Sequence, residues 1–242
     1  MRKYLPPFLC TLCGLALLMS WYLPLGRDWW FAVDTRIFFF FNQYLATSKA
    51  FLYLVAFTNL RPFDVVAFLA MLLIYAWQYR RMDRTGRRWM LAMGAAMLLG
   101  AVFDKVFMES LDKVLGFERA SATKYLTAAG YELNRVSVLS GWPAKDWASS
   151  SFPGDHGMFL LIFVCFAARY LGRKAACLSL AVFVVFSLPR IMSGAHWFTD
   201  VAVGSVSAVS IIMGWYLLTP ASDRVIAWLQ RHGDRILRKL VP

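Results

Sequence analysis

Arg190, His196 and Asp200 fall within eleven residues of one another, in the segment Pro189-Arg190-Ile191-Met192-Ser193-Gly194-Ala195-His196-Trp197-Phe198-Thr199-Asp200. Their types and spacing suit nucleophilic phosphoryl transfer. His196 and Asp200 are four apart, so a helix beginning near His196 stacks them on one face. The carboxylate can then accept a hydrogen bond from Nδ1 and fix the tautomer whose Nε2 is free to attack. Arg190 supplies a permanent fork of donors for phosphate oxygens. Ser193-Gly194 provide the turn that brings Arg190 and His196 together.

A second polar group, Ser151-Phe152-Pro153-Gly154-Asp155-His156-Gly157, opens another apolar run. A helix starting near His156 points free N–H groups and a positive dipole end at an anion, and Gly154 lets backbone approach it closely. Asp155 is expected to cap that helix. Gly154 and Asp155 are therefore placed at the phosphate through backbone, since a carboxylate aimed at an anion is repelled. His156 is left as the general acid that protonates the departing oxygen. His232, in a basic tail beside Arg231, Asp234 and Arg235, reads as solvated. Two other chemistries compete. His156, Asp155, His196 and Asp200 could hold a metal, and the basic groups could merely bind a lipid headgroup. A pure binding site has no use for Asp200 behind His196. The transfer reading needs no metal and no cofactor.

The elements that must position these residues are membrane spans. Hydrophobic residues make up 60% of the 242-residue chain and the mean hydropathy is +0.53, above the needs of an ordinary soluble core. Apolar stretches near 5–24, 63–79, 89–111, 156–171, 175–192 and 198–218 predict an all-α integral membrane protein, six transmembrane helices in one bundle and a single domain over 1–242. Ile37, Phe40, Phe41, Tyr44 and Leu45 share a helical face and predict an interfacial helix outside the bundle. The run 50–60 is too short to span. The loop 112–155 holds most of the remaining polar residues.

The net charge of +12 raises the question of nucleic-acid binding. Its distribution answers it. Residues 1–4, 79–88, 169–174 and 219–242 hold 15 of the 26 basic residues and three of the 14 acidic ones. One side therefore carries the whole excess, which makes it cytoplasmic with both termini. Nucleic acid is excluded as a partner, and the two histidines face the opposite side. Arg2 and Lys3 before an apolar run resemble a signal peptide, but Trp21-Tyr22 end that run as an interfacial belt rather than a cleavage site. Cys10-x-x-Cys13 lies inside the same span without a second ligand pair and reads as small helix residues.

Arg190, five residues, His196, three residues and Asp200 resemble the third signature of the type 2 phosphatidic acid phosphatase superfamily. Pro153-Gly154-Asp155-His156 resembles its second, with Gly154 where the family has serine. The first, lysine, six residues, Arg-Pro, is matched by Arg119, with Asp112 in the lysine's place, Lys113 one residue away and Ala120 for proline. The resemblance implies a six-helix bundle, a phosphohistidine intermediate, no metal, and Arg119 among the phosphate ligands. Ser48-Lys49-Ala50-Phe51-Leu52, Asn134-Arg135-Val136-Ser137, Leu218-Thr219-Pro220 and Ser222-Asp223-Arg224 narrow it to a branch in the Gram-negative inner membrane. That branch moves the distal phosphate of undecaprenyl diphosphate to lipid A 1-phosphate at the periplasmic face. A hydrolase of the same family, acting on lipid A or a polyprenyl diphosphate, shares these motifs.

Overall fold

The computed structural model describes residues 4–116 and 119–240, with backbone alone for 236–240. Arg2, Lys3 and Glu118 lie outside the described residues. Within them every regular element is a helix. Proline opens the first turn of α1 (Leu5–Tyr22), α2 (Pro24–Thr47) and α4 (Arg61–Arg80), where its missing N–H costs no helical bond. Ser48 caps α3 (Lys49–Thr58) through Phe51 N, and Asp83 caps α5 (Arg84–Leu115) through Gly86 N at 2.8 Å. Gly116, at φ 63°, ends α5 in the left-handed conformation that glycine adopts without a steric penalty.

Five helices are long and apolar enough to cross a membrane: α1, α4, α5, α9 (Arg173–Met192) and Asp200–Leu218. The last joins a π-helical turn (Asp200–Ser205) to α10 (Val206–Leu218). The chain is a multi-pass, all-helical membrane protein. The sixth expected span is α8 (Asp155–Phe166), 12 residues continued by a five-residue π-helical turn (Ala167–Leu171). It packs against α9, α10 and α5 but is shorter than the other five. Met90, Met93, Met108, Met158, Ile162, Phe166 and Met213 fill the space where α5, α8 and α10 meet. Lipid offers helices little hydrophobic drive to associate, so close packing has to hold them. Gly14 of α1 shows how close: a Cβ there would come within 2.9 Å of Ile211 on α10.

Three boundaries differ from the expectation. α5 continues to Leu115, because Gly116 is its first stop signal, so Asp112 is helical rather than in the loop. α2 runs for 24 residues and buries Asp34, Phe38, Asn42 and Leu45. Of the expected apolar face only Leu45 is buried, while Phe40 and Tyr44 point outward. The cause is the neighbours: Asn42 exchanges hydrogen bonds with Asn134 and Asp34 accepts from Arg119, so the protein side of α2 is partly polar, while Phe38 packs on Trp197. Finally, Gly154 rather than Asp155 is the N-cap of α8. The 112–155 segment carries two short helices, α6 (Ala122–Ala128) and α7 (Val136–Ser140). The basic tail is α11 (Ala221–Leu240), tied to α5 by Arg88–Asp234 at 3.2 Å, with the His232 ring tilted against Trp228.

Candidate active site

A cavity of about 370 Å³ is bounded by α5, the start of α4, the start of α8 and the segment 145–153. His156, His196 and Arg190 all line it. His196 is held by its own turn. Its N–H donates to Arg190 O at 3.1 Å, and Gly194 O accepts from Thr123 N at 3.1 Å. Gly194 has φ 75°, and a Cβ there would fall 2.3 Å from Thr123 Oγ1 and 2.6 Å from the Phe38 ring. Only glycine fits that position.

His196 Nδ1 lies 3.0 Å from Ser151 O and 3.3 Å from Asp200 Oδ2. A carbonyl oxygen can only accept, so Nδ1 carries the hydrogen and Nε2 presents its lone pair. Asp200 is fully buried, and Oδ2 also accepts from Trp197 N at 2.8 Å, which fixes the carboxylate. The four-residue spacing marks Asp200 in the sequence, whereas the Ser151 contact comes through main chain and leaves no mark in residue type.

Behind this pair lies a second charge network. Arg119 Nη2 donates to Asp34 Oδ2 at 2.7 Å, Nη1 donates to Thr199 Oγ1 at 2.7 Å, and Asp200 Oδ1 stands 3.6 Å away. Its guanidinium stacks on Trp197 at 4.4 Å. Asp34, wholly buried, also accepts from Thr199 N at 3.0 Å and from Thr199 Oγ1 at 2.6 Å. Arg119 thus does not line the cavity where a phosphate ligand was expected. One donor of each Nη goes to Thr199 and Asp34. Its carbonyl accepts from Ser151 N and Oγ, so backbone and side chain both brace the groups that hold His196.

Gly154 is likewise structural in its contacts. Its N–H donates to Asp200 O at 3.0 Å, and its carbonyl accepts from Ser205 Oγ at 2.8 Å. It ties α8 to the Asp200 turn and has no N–H left for an anion. The first helical bond of α8 runs from Met158 N to Gly154 O, so the amides of Asp155 and His156 remain at the cavity-lining end of the helix. The Asp155 carboxylate pairs with Lys105 at 3.3 Å, and Lys105 also reaches Glu109 at 3.7 Å.

Arg190 is buried, and its Nη2 pairs with Asp64. Its Nη1 meets no acceptor among the described residues. Asp64 also lies 3.7 Å from His156 Nε2. Lys145 lines the same cavity, and no described residue forms an ion pair with it. Partial desolvation and then the Arg190 charge hold its ammonium below the usual lysine range. Asp34, Asp64, Lys105 and Lys145 were not singled out by sequence. A charge inside or at the start of an apolar run marks Asp34, Asp64 and Lys105 in hindsight; nothing local marks Lys145. Among the described residues no three His, Cys, Asp or Glu side chains group as a metal site would require.

Comparison with known proteins places the chain in a family. The PAP2 superfamily model matches residues 120–224, a range that includes both histidines, Arg190 and Asp200. Lipid A 1-diphosphate synthase of Escherichia coli (strain K12) is 46% identical over 232 residues, which cover 96% of this chain and 95% of that protein. No solved structure matches the chain. With likeness at that level running almost end to end, the chain belongs to the PAP2 superfamily.

Proposed function

We propose that the chain is a membrane phosphotransferase, one domain over residues 1–242, that passes the distal phosphate of undecaprenyl diphosphate to lipid A 1-phosphate. The products are lipid A 1-diphosphate and undecaprenyl phosphate. His196 Nε2 attacks the distal phosphorus, and the bond to the bridging oxygen breaks. His156 gives that oxygen its proton. Arg190 and the amides at the start of α8 bind the equatorial oxygens. In the second half the acceptor phosphate loses its proton to His156 and attacks the phosphohistidine. The P–N bond breaks, its electron pair returns to Nε2, and a new P–O–P linkage is complete. Protons and charge balance over the cycle with no metal or other cofactor taking part. Arg119, Asp34 and Thr199 position Asp200, and Gly154 positions the start of α8.

The observation that carries the reading is the pair of acceptors on His196 Nδ1, which aims the Nε2 lone pair into a cavity holding a buried arginine donor. The test is purified protein given undecaprenyl diphosphate labelled in its distal phosphate, with and without lipid A, in EDTA. Label is expected on the protein with donor alone and on lipid A when acceptor is added. Label released only as inorganic phosphate assigns the chain to the hydrolases, and loss of all activity in EDTA assigns it to metal chemistry.

The proposed setting is the bacterial inner membrane, with the cavity facing the periplasm and both termini cytoplasmic. In a chain whose native cysteines are replaced by alanine, cysteine at exposed Thr85 should resist an impermeant thiol reagent on intact spheroplasts. Cysteine at exposed Thr127, on α6, should react. The reverse pattern overturns the orientation. Ser121 is unsuited as a probe, because it is buried and its hydroxyl accepts from Ala148 N.

A further inference from the structure

Among the described residues the cavity is lined by three basic side chains, Lys105, Lys145 and Arg190, and two already have carboxylate partners. Lys105 is taken by Asp155 and Glu109, and Arg190 gives one nitrogen to Asp64. Lys145 is left, facing Arg190, Asp64, Asp155 and Arg61. The remaining carboxylate, Asp112, lies on α5 at the opposite wall with Oδ1 buried and without a partner.

What sets Lys145 apart from a surface lysine is the way its backbone is fixed. Lys145 N donates to Asn59 O at 2.9 Å, and Lys145 O accepts from Ser193 Oγ at 3.1 Å. Asn59 is wholly buried; its Nδ2 donates to Val55 O and Pro189 O, and its Oδ1 lies 3.1 Å from Ser193 Oγ. The next residue, Asp146, is buried and accepts from Arg135 Nη2, Ser137 N and Ser137 Oγ, each at 2.8 Å. Position 145 is thus tied to the same turn that carries Arg190 and His196. The side chain is free while its origin is rigid, which is how a flexible stem delivers a point charge to a fixed place.

We propose that Lys145 binds the phosphate that is not transferred, and that this one subsite serves both lipids in turn. The inference rests on the phosphotransferase reading. In the first step the subsite holds the proximal phosphate of the diphosphate donor, which leaves as a monophosphate when the P–O bond breaks and His156 protonates it. In the second it holds the acceptor monophosphate, whose oxygen attacks the phosphorus on Nε2 as its proton returns to His156. The two monophosphates then exclude each other. A phosphate seated by Lys145 also stands where water would otherwise attack the same phosphorus, with inorganic phosphate as the product. Lys145 therefore sets the ratio of transfer to hydrolysis.

Lys145→Met keeps the backbone ties and removes the charge; Lys145→Arg keeps the charge. With labelled donor, Lys145→Met should raise the inorganic-phosphate share of phosphoenzyme decay and the acceptor KM, each by about tenfold, the scale of one charge-assisted contact. Lys145→Arg should restore both to within about threefold of the parent on the same scale. Partition and acceptor KM unchanged in Lys145→Met overturn the proposal. So does equal damage in Lys145→Arg, which would mark a purely structural position. A parent protein that forms no phosphoenzyme overturns the transfer reading instead, and the subsite is then judged by calorimetry. Lys145→Met should weaken methylenediphosphonate by about tenfold while changing inorganic phosphate by less than about threefold. Equal effects on the two anions overturn it there.

Discussion

His196→Ala is expected to abolish transfer and leave no acid-labile label on the protein, a loss on the order of 10⁴-fold or more in turnover. No other side chain can take over, because the nearest imidazole, His156, faces Asp64 and starts a different helix. Asp200→Asn should be milder. An asparagine amide cannot stabilise the positive ring that forms on phosphorylation, but Ser151 O still demands a hydrogen on Nδ1. The rate should fall by about 10²-fold with donor affinity kept, less than where a buried carboxylate alone sets the tautomer. The measurement is burst labelling in membranes lacking the native enzyme. Near-parental turnover by His196→Ala there overturns the mechanism.

Asp34→Ala is the second large effect, and it falls on stability. Removing this buried carboxylate strands the Arg119 guanidinium between Trp197 and Asp200 and leaves Thr199 N without an acceptor. Breaking one side of a buried ion pair costs about 3–5 kcal/mol, because the remaining charge stays desolvated. A marginal domain loses most of its stability to such a change. Thermal unfolding in detergent should show a large drop for Asp34→Ala and for Arg119→Ala. Methylenediphosphonate binding at low temperature should be nearly kept in Arg119→Ala. In Arg190→Lys the pattern should invert, with ordinary melting and weak binding, since one ammonium cannot hold Asp64 and an anion on two separate nitrogens as Arg190 can. Arg119→Ala that melts normally but no longer binds the anion would return Arg119 to the phosphate.

How far the sequence foretold this site depends on what kind of interaction each residue makes. His196, Asp200, Arg190 and His156 stand out because polar side chains at the ends of apolar spans are costly without a reason, and helical spacing then pairs two of them. Five spans were legible from apolar length alone, except at ends governed by a single glycine such as Gly116. Contacts made by backbone left no trace in composition: Ser151 O on His196 and Gly154 N on Asp200 follow from where two loops meet. The direction of Arg119 is not legible in its signature, which gives only a position along the chain, because it is decided by Asp34, 85 residues earlier on a separate helix. Lys145 was passed over for the same reason, its place being set by Asn59 and Ser193 at a distance in sequence.

The hydrogen bonds that hold His196 come from groups that do not face the cavity, apart from Ser151 and Arg190, whose parts in it are main-chain carbonyls. Asp200, Trp197, Arg119, Asp34 and Thr199 form a closed set at its back, while Lys105, Asp64 and Lys145 occupy the rim. On the proposed mechanism, substrate choice and the setting of His196 rest on different side chains. An engineer could exchange the Lys105 and Lys145 side chains to admit a new acceptor, leaving the main chain at 145 and 151 and the Asp64–Arg190 pair in place. The histidine would keep its tautomer and aim throughout, because none of the side chains that set them would have been touched.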